Sequence, residues 1–282
     1  MSKKVKKLLI FAFVLAVFIL VVYVWGYLLK PVRYDISTDK LKKELKIVFI
    51  SDLHNCFFGG TDQSGLWEAI TASGPDIVIF GGDVIDAWSG TEYALDIMKR
   101  VHDNYPCAYA PGNHEDMRSD KKEFFSDVEA LGIDVLLGKC NEIDVNGEKV
   151  RIYGVLDSLA YGSHAAQLEE CYEDLDENYY NILLAHQPEQ IDELLGDKSK
   201  SFDLILSGHA HGGQWRIPHI LDQGLYAPDQ GLFPDYTTGM YTYGDTVHII
   251  SRGLAKPPRM IFIPRIFNRP ELSVIYVHGN DR

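Results

Sequence analysis

Five short apolar runs in this chain each lead directly into side chains that commonly bind metal ions. The runs hold four or five residues, and most are rich in β-branched side chains, which is typical of buried strands. The sequences that follow them are Asp52-Leu53-His54, Gly82-Asp83, Gly112-Asn113-His114-Glu115, His186 and Gly208-His209-Ala210-His211. Because α/β proteins place ligand sites at the carboxyl ends of their strands, this pattern predicts a single site at one sheet edge.

The order of the predicted elements indicates the fold class. Strands alternate with amphipathic helices at first and then become more frequent, so we expect an α/β sandwich built on two sheets. The predicted helices lie near Ser64–Ala72, Glu92–His102 and Lys121–Leu131. The predicted strands are Ile47–Ser51, Asp76–Phe80, Cys107–Ala110, Val150–Val155, Asn181–Ala185, Asp203–Ser207, Val247–Ser251 and Leu272–Val277.

An uncharged, apolar stretch precedes this domain. Leu8–Leu29 holds 22 residues and follows four lysines, and a membrane-spanning helix needs about 20 residues. No A-x-A cleavage site follows the stretch, so an uncleaved anchor is favoured over the alternative, a cleaved signal peptide. We therefore predict a membrane anchor over residues 1–29, a polar linker over 30–45 and one domain over 46–282.

The charges around the apolar stretch predict its orientation. Lysines before a span favour a cytoplasmic N-terminus. Lys30 and Arg33 follow the span and reduce this asymmetry. We expect a single-pass protein of the cell membrane with an extracytoplasmic domain.

The domain is strongly acidic. The whole chain has a formal net charge of −13, and since the first 29 residues contribute four positive charges, the rest carries −17. Such a surface repels nucleic-acid backbones, so we expect no nucleic-acid partner. A small phosphate ester is not excluded, because bound cations would reverse the sign of the field within a site.

The strand-end motifs are informative as a set. A single D-x-H or G-H-x-H often arises by chance, and one histidine is more often a surface or core residue than a ligand. Five such motifs at the ends of apolar strands would bury carboxylate and imidazole groups at a large cost in free energy. A metal site explains the whole set better than separate structural roles do.

In their order, the motifs D-x-H, G-D, G-N-H-E, H and G-H-x-H resemble those of the calcineurin-like metallophosphoesterase family. The resemblance covers residues 46–282. It extends to the membrane-associated bacterial branch typified by YkuE and YaeI, through His209–Gln214, Ser251–Leu254 and a closing strand after Pro270. It implies a four-layer α/β/β/α sandwich, with two metal ions at the sheet edge.

The resemblance also implies a ligand for each position of the site. One divalent ion would be held by Asp52, His54 and His211, the other by Asn113, His186 and His209, and Asp83 would bridge both. Mixed nitrogen and oxygen ligands suit Mn, Fe or Zn better than Ca. A hydroxide bridging the two ions would attack phosphorus, while both ions stabilise the charge on the phosphoryl oxygens.

Three further residues are predicted to serve the reaction. The resemblance makes His114 the acid that protonates the leaving group. Asp86 would orient His114, or alternatively cap its own loop, and Glu115 is a second candidate partner of His114. Arg252 would contact a substrate phosphate, with a structural ion pair as the alternative.

Two segments outside the motifs keep two interpretations each. Arg259, Arg265 and Arg269 alternate with apolar residues, which favours a strand with its loop but also fits a patch that contacts anionic lipid. Residues 215–243 are rich in aromatic side chains and form either a wall of the substrate site or a self-packed loop.

Together these features predict a membrane-anchored, dinuclear-metal hydrolase of phosphodiesters or phosphomonoesters, and more specifically a phosphodiesterase. Anchoring favours a substrate derived from lipid or the cell envelope. One alternative is a lipid-linked or nucleotide-sugar pyrophosphatase of the same fold. Another is a non-catalytic, metal-stabilised binding module at the membrane.

Overall fold

Two β-sheets packed face to face form the centre of the computed structural model, which describes residues 2–156, 163–196, 200–256 and 265–280. The first sheet has the strand order β1-β13-β2-β3-β4. Its strands are β1 (Lys30–Ser37), β2 (Leu45–Ile50), β3 (Ile77–Gly81), β4 (Cys107–Ala110) and β13 (Glu271–His278). Strands β2, β3 and β4 run parallel, so their carboxyl ends share one edge.

The second sheet has the order β11-β12-β8-β7-β6-β5. Its strands are β5 (Lys139–Val145), β6 (Glu148–Val155), β7 (Tyr180–Ala185), β8 (Leu204–Ser207), β11 (Gly239–Tyr243) and β12 (Thr246–Ile250). Strands β6, β7, β8 and β12 are parallel. A small hairpin of β9 (Tyr226–Ala227) and β10 (Gly231–Leu232) lies outside both sheets.

Alternating side chains along the strands divide the core into layers. In β2, Ile47 and Phe49 pack between the two sheets, whereas Val48 and Ile50 face the helices that cover the first sheet. This alternation follows from the two-residue period of a strand, and both faces are apolar because both are covered.

Helices cover the outer face of each sheet. The helices are α1 (Lys3–Trp25), α2 (Ser64–Ser73), α3 (Glu92–His102), α4 (Asn113–Asp116), α5 (Lys121–Ala130), α6 (Ser163–Asp174) and α7 (Ile191–Leu194). Side chains of α2, α3 and α5 pack on the first sheet, and those of α6 and α7 pack on the second. The predicted four-layer α/β/β/α sandwich is thereby confirmed.

Helix α1 precedes the sandwich, and by its length and apolar composition it is a candidate membrane span. Its side chains are almost all exposed, Val22 being the buried residue. The prediction of a linker over residues 30–45 is wrong for its first half, because Lys30–Ser37 forms β1 and pairs in parallel with β13. The polar composition of β1 is explained by its position at the sheet edge, where most of its side chains are exposed.

Candidate metal centre

The five strand-end motifs converge at one edge of the sandwich, and each sheet contributes to the cluster. The ligand atoms of Asp52, His54 and His211 lie within 4.8 Å of one another, and so do those of Asp83, His186 and His209. The backbone N–H of His209 donates to Asp52 Oδ1 at 2.8 Å, which ties the end of β8 to the end of β2.

Asp83 lies between the two groups. Its Oδ2 is 3.1 Å from His186 Nε2 and 3.7 Å from His54 Nε2. Asn113 is adjacent, since the N–H of the next residue, His114, donates to Asp83 Oδ1 at 2.8 Å. Burial by itself raises the pKa of Asp83, but the neighbouring histidines outweigh it and hold that pKa well below its ordinary value. The seven predicted ligands therefore form one cluster with Asp83 at its centre.

Several buried atoms of the cluster have no hydrogen-bond partner among the described residues. They include Asp52 Oδ2, His54 Nε2, Asn113 Oδ1 and His211 Nδ1. An unpartnered buried polar atom costs about 1–3 kcal/mol, so four at one place need a common partner. Burial and the nearby His54 also lower the pKa of His211 well below its ordinary value, so this ring stays neutral, as a ligand must be. The donor set and its unpartnered atoms fit divalent metal ions.

The backbone of the cluster is unusual at the ligands themselves. Positive φ angles of 48–64° occur at Asp52, His54, Asp83, His209 and His211. This left-handed region costs non-glycine residues about 1 kcal/mol or more each, and it persists only where the surrounding structure imposes it. All five angles fall in the turns that follow β2, β3 and β8.

Close backbone approach explains two glycines beside Asp52. A Cβ at position 208 would lie 2.4 Å from Asp52 Oδ2, and one at position 253 would lie 2.5 Å from Asp52 Cβ. Gly253 also has a φ of 66°. Its contact with the site was not predicted, although the sequence Ser251–Leu254 carried part of the family resemblance.

Two histidines of the cluster have a ring nitrogen in contact with a group that is not a predicted ligand. His186 Nδ1 is 2.8 Å from the carbonyl oxygen of Gly81, and His209 Nε2 is 2.9 Å from Asp229 Oδ2. Such partners fix the orientation of a metal-binding imidazole. Asp229 was missed by sequence reasoning, because it lies in the long 215–243 segment and belongs to no motif.

Asp86 and His114 both lie beside His54. Asp86 Oδ2 lies 3.8 Å from His54 Nδ1, and its Oδ1 accepts from the N–H of Trp88 at 2.9 Å. The bond from Trp88 is the loop cap that the sequence left open. Ligand atoms of His54, Asp86 and His114 also lie within 4.8 Å of one another, so the orientation of His114 by Asp86 stays a prediction. His114 Nδ1 accepts from the N–H of Ala87 at 3.3 Å.

The hydrogen bonds of Glu115, the second candidate partner of His114, come from backbone groups. Glu115 is fully buried, and its carboxylate accepts from the backbone N–H groups of Asp83, Gly112 and Ile85 at 2.8–3.1 Å. Burial raises the pKa of Glu115 to about 7. Glu115 thus holds together the two loops that carry Asp83 and Asn113.

The arginines near the site have structural partners. Arg252 Nε lies 3.3 Å from the buried Glu271 carboxylate, which is the ion pair that the sequence left open. Its contact with substrate stays a prediction. Arg265 is fully buried and donates to the carbonyl oxygens of Ala255 and Arg252 at 2.8 Å each, so it belongs to no lipid-facing patch. Arg259 lies outside the described residues.

A cluster of aspartate, asparagine and histidine at the edge of an α/β/β/α sandwich defines a metal-dependent phosphoesterase fold. The family model described as calcineurin-like phosphoesterase matches residues 45–213. The chain therefore belongs to the calcineurin-like phosphoesterase family, as its motifs predicted. This family uses divalent metal ions, and the two residue groups around Asp83 are where this chain could bind them.

Relatives of the chain include proteins of bacteria and animals. The uncharacterized protein YpbG of Bacillus subtilis is 33% identical over 68% of this chain and 71% of its own length. The uncharacterized metallophosphoesterase YkuE of the same organism is 27% identical over 89% of this chain and 88% of its own. A bovine transmembrane protein with a metallophosphoesterase domain is 29% identical over 74% of this chain, which spans 51% of that protein.

Proposed function

We propose that this chain is a membrane-anchored phosphoesterase that hydrolyses phosphodiester or phosphomonoester bonds with two bound divalent ions. The observation that carries the proposal is the convergence of two groups of ligand atoms on the central Asp83 carboxylate, with buried atoms that have no partner among the described residues. A site of this composition serves hydrolysis in two-metal enzymes.

Each ion has three ligands of its own in this proposal. Asp52, His54 and His211 would hold one, Asn113, His186 and His209 would hold the other, and Asp83 would contact both. Two such ions supply an activated water and neutralise charge on the phosphoryl oxygens. Mn, Fe or Zn fits these ligands.

We infer that His114 donates the proton that the leaving group requires. Its Nδ1 lies 3.3 Å from the backbone nitrogen of Ala87, and its Nε2 faces the cluster, 4.0 Å from Asp83 Oδ2. As the acid, the ring would be the imidazolium, which gives its Nε2 proton to the leaving group and is left neutral. Burial lowers the pKa of His114, which favours this loss of the proton. Proton donation of this kind is worth about 10²–10⁴-fold in rate.

Helix α1 supports the membrane part of the proposal. Its length and apolar surface suit a bilayer span, and the four lysines near its start favour a cytoplasmic N-terminus. The domain would then lie outside the cytoplasm and act on a phosphoester of lipid or cell-envelope origin.

The test uses the full chain in detergent, with its metal content and its hydrolysis of bis(p-nitrophenyl) phosphate and p-nitrophenyl phosphate measured. We expect two ions per chain and faster turnover of the diester. Asp83→Asn should abolish turnover, while His114→Ala should reduce it about 10²–10⁴-fold with the metal content unchanged. Asp96→Asn, a matched change on the exposed side of α3, should have no effect. A metal-loaded protein without turnover would indicate the binding module instead.

A further inference from the structure

Only residues 26–29 separate the apolar helix α1 from the first strand of the domain. The first strand, β1, begins at Lys30, directly after the apolar stretch, and the N–H of Lys30 donates to the Pro270 carbonyl at 2.9 Å. The Arg269 guanidinium donates to the carbonyl oxygens of Leu28 and Leu29 at 2.8 and 2.6 Å. The domain is therefore bonded to the chain from the last residues of the apolar stretch onward.

Strand direction places this junction at the metal-bearing edge. The first strand is parallel to β13, and β13 is antiparallel to β2, so β1 starts at the edge where β2 ends. Lys30 is paired with Glu271, and two residues further along β13, Ser273 is paired with Phe49 of β2. Because β2 runs in the opposite direction, Lys30 is level with the residue that precedes Asp52. Strand β13 lies between β1 and β2, so the distance across the sheet is two strand spacings, about 10 Å.

Exposed apolar side chains surround the same junction. The Phe267 ring packs against Phe18 with centroids 6.4 Å apart. Phe18 lies seven residues before the end of α1 at Trp25, or about 10 Å down the helix axis, so Phe267 is level with the interior of the apolar stretch. Ile266, which precedes Phe267, forms an isolated β-bridge with Trp215.

A turn beyond Trp215 adds two more apolar side chains. The N–H of Ile220 donates to the carbonyl oxygen of Ile217 at 3.0 Å, and both side chains are exposed, Ile220 by 81%. We name Trp215, Ile217, Ile220 and Phe267 the apolar rim. Apolar groups clustered beside a membrane span are stabilised when lipid covers them.

The apolar rim is connected to a metal ligand. Asn268, which follows Phe267, donates through Nδ2 to the carbonyl oxygen of His211 at 2.7 Å and to that of Gln214 at 3.2 Å. The loops that carry the rim are thus the loops that hold His211. Seating the rim in lipid would place the site at the depth of the lipid headgroups.

We propose that the apolar rim inserts into the bilayer beside α1, and that the site takes a phosphoester whose hydrocarbon chain stays in the membrane. This inference rests on the anchor and the hydrolysis proposed above. A lipid phosphate lies at the membrane interface, so it reaches the metal-bearing edge without leaving the bilayer. A water-soluble phosphoester would have to enter from the side.

The first experiment measures lipid contact directly in the full chain, reconstituted in phosphatidylcholine nanodiscs. A bimane label is placed at Ile220→Cys, or at Lys149→Cys as the control, because Lys149 is exposed at the opposite edge of the sheets. Both carry Cys140→Ser, which replaces a native cysteine that is not fully buried. We expect brominated acyl chains to quench the label at 220 and leave that at 149 unchanged. An unquenched label at 220 would overturn the proposal.

The second experiment compares two phosphodiesters with the same leaving group, hexadecyl p-nitrophenyl phosphate within the nanodisc and methyl p-nitrophenyl phosphate in solution. Ile220→Glu should lower kcat/KM for the hexadecyl ester about tenfold or more, as expected when a lipid-buried side chain becomes charged. It should leave the methyl ester unchanged, and Ile220→Leu should behave as the native chain. Equal losses on both esters would contradict membrane capture. Turnover of neither ester by the native chain would refute the hydrolytic function, while the quenching result would still decide the lipid contact.

Discussion

The contact between Asp229 and His209 allows a quantitative test of the metal centre. We expect Asp229→Asn to weaken one of the two metal-binding events and to leave the other unchanged. The change keeps the size of the side chain, and asparagine tolerates the positive φ of 57° at this position. It removes the negative charge 2.9 Å from His209 Nε2.

The expected magnitude follows from the type of hydrogen bond. A bond to a charged group contributes about 1.5–3 kcal/mol and a neutral bond about 0.5–1.5 kcal/mol. The Asp229 side chain is 55% exposed, so water screens its charge. We therefore expect the charged bond to exceed the neutral bond by only about 1 kcal/mol. That corresponds to about a fivefold loss of affinity. Asp229→Ala, which removes the whole bond, should cost about 10–100-fold.

Calorimetric titration of the metal-free full chain with Mn measures both binding events. The control is Asp235→Asn, which removes the same charge from the same segment without touching His209. If Asp229→Asn matches the native chain in both events, or if Asp235→Asn weakens binding equally, the contact does not position His209 and the reasoning is refuted.

Three further predictions concern stability. Removal of metal with a chelator should lower the Tm, because an ion present at 100 times its Kd adds about 2.7 kcal/mol to the free energy of unfolding. Addition of Mn should restore the Tm. A Tm that the chelator does not change would contradict a loaded site. Arg265→Met should reduce the free energy of unfolding in urea by about 3 kcal/mol or more, since two carbonyl oxygens lose a charged donor; a change below 1 kcal/mol would show that they find other partners. Burial lowers the pKa of His248 to about 3, so this group stabilises the fold above its unfolded pKa of about 6.5, and the contribution is lost as the pH falls. Urea unfolding of the native chain should therefore lose about 1.4 kcal/mol per pH unit more than His248→Gln below pH 6.5, and parallel pH profiles would contradict this.

The buried strands could be predicted from the sequence because both of their faces are covered. The predicted bounds of β4 and α3 are those of the structure, and β3 differs by a single residue at each end. Strands β1 and β5 were not predicted, since both lie at sheet edges and carry many exposed polar side chains. An edge strand lacks the apolar signal on which such predictions depend.

The candidate site could be predicted only as far as its motifs extend. The seven predicted ligands follow buried strands, so their meeting at one edge was expected, and these residues do lie together. The contacts made by Asp229 and Gly253 depend on chain segments far away in sequence, and no local pattern reports them. For Asp86 the motif left two roles open, and the hydrogen bond from the Trp88 N–H shows the loop cap, whereas the orientation of His114 stays a prediction.

If α1 anchors the chain as proposed, its continuity with β1 determines how easily a protease could release the domain. Proteases cut extended segments that can leave the fold, and the stalks of many anchored proteins are such segments. Here the eight residues from Lys30 to Ser37 are all paired with β13, so little unpaired chain lies between α1 and the sheet. Shedding of the domain would first require the edge of the sheet to open. In an anchored chain, the residence time on the membrane would therefore be set by the stability of the fold and not by the exposure of a stalk.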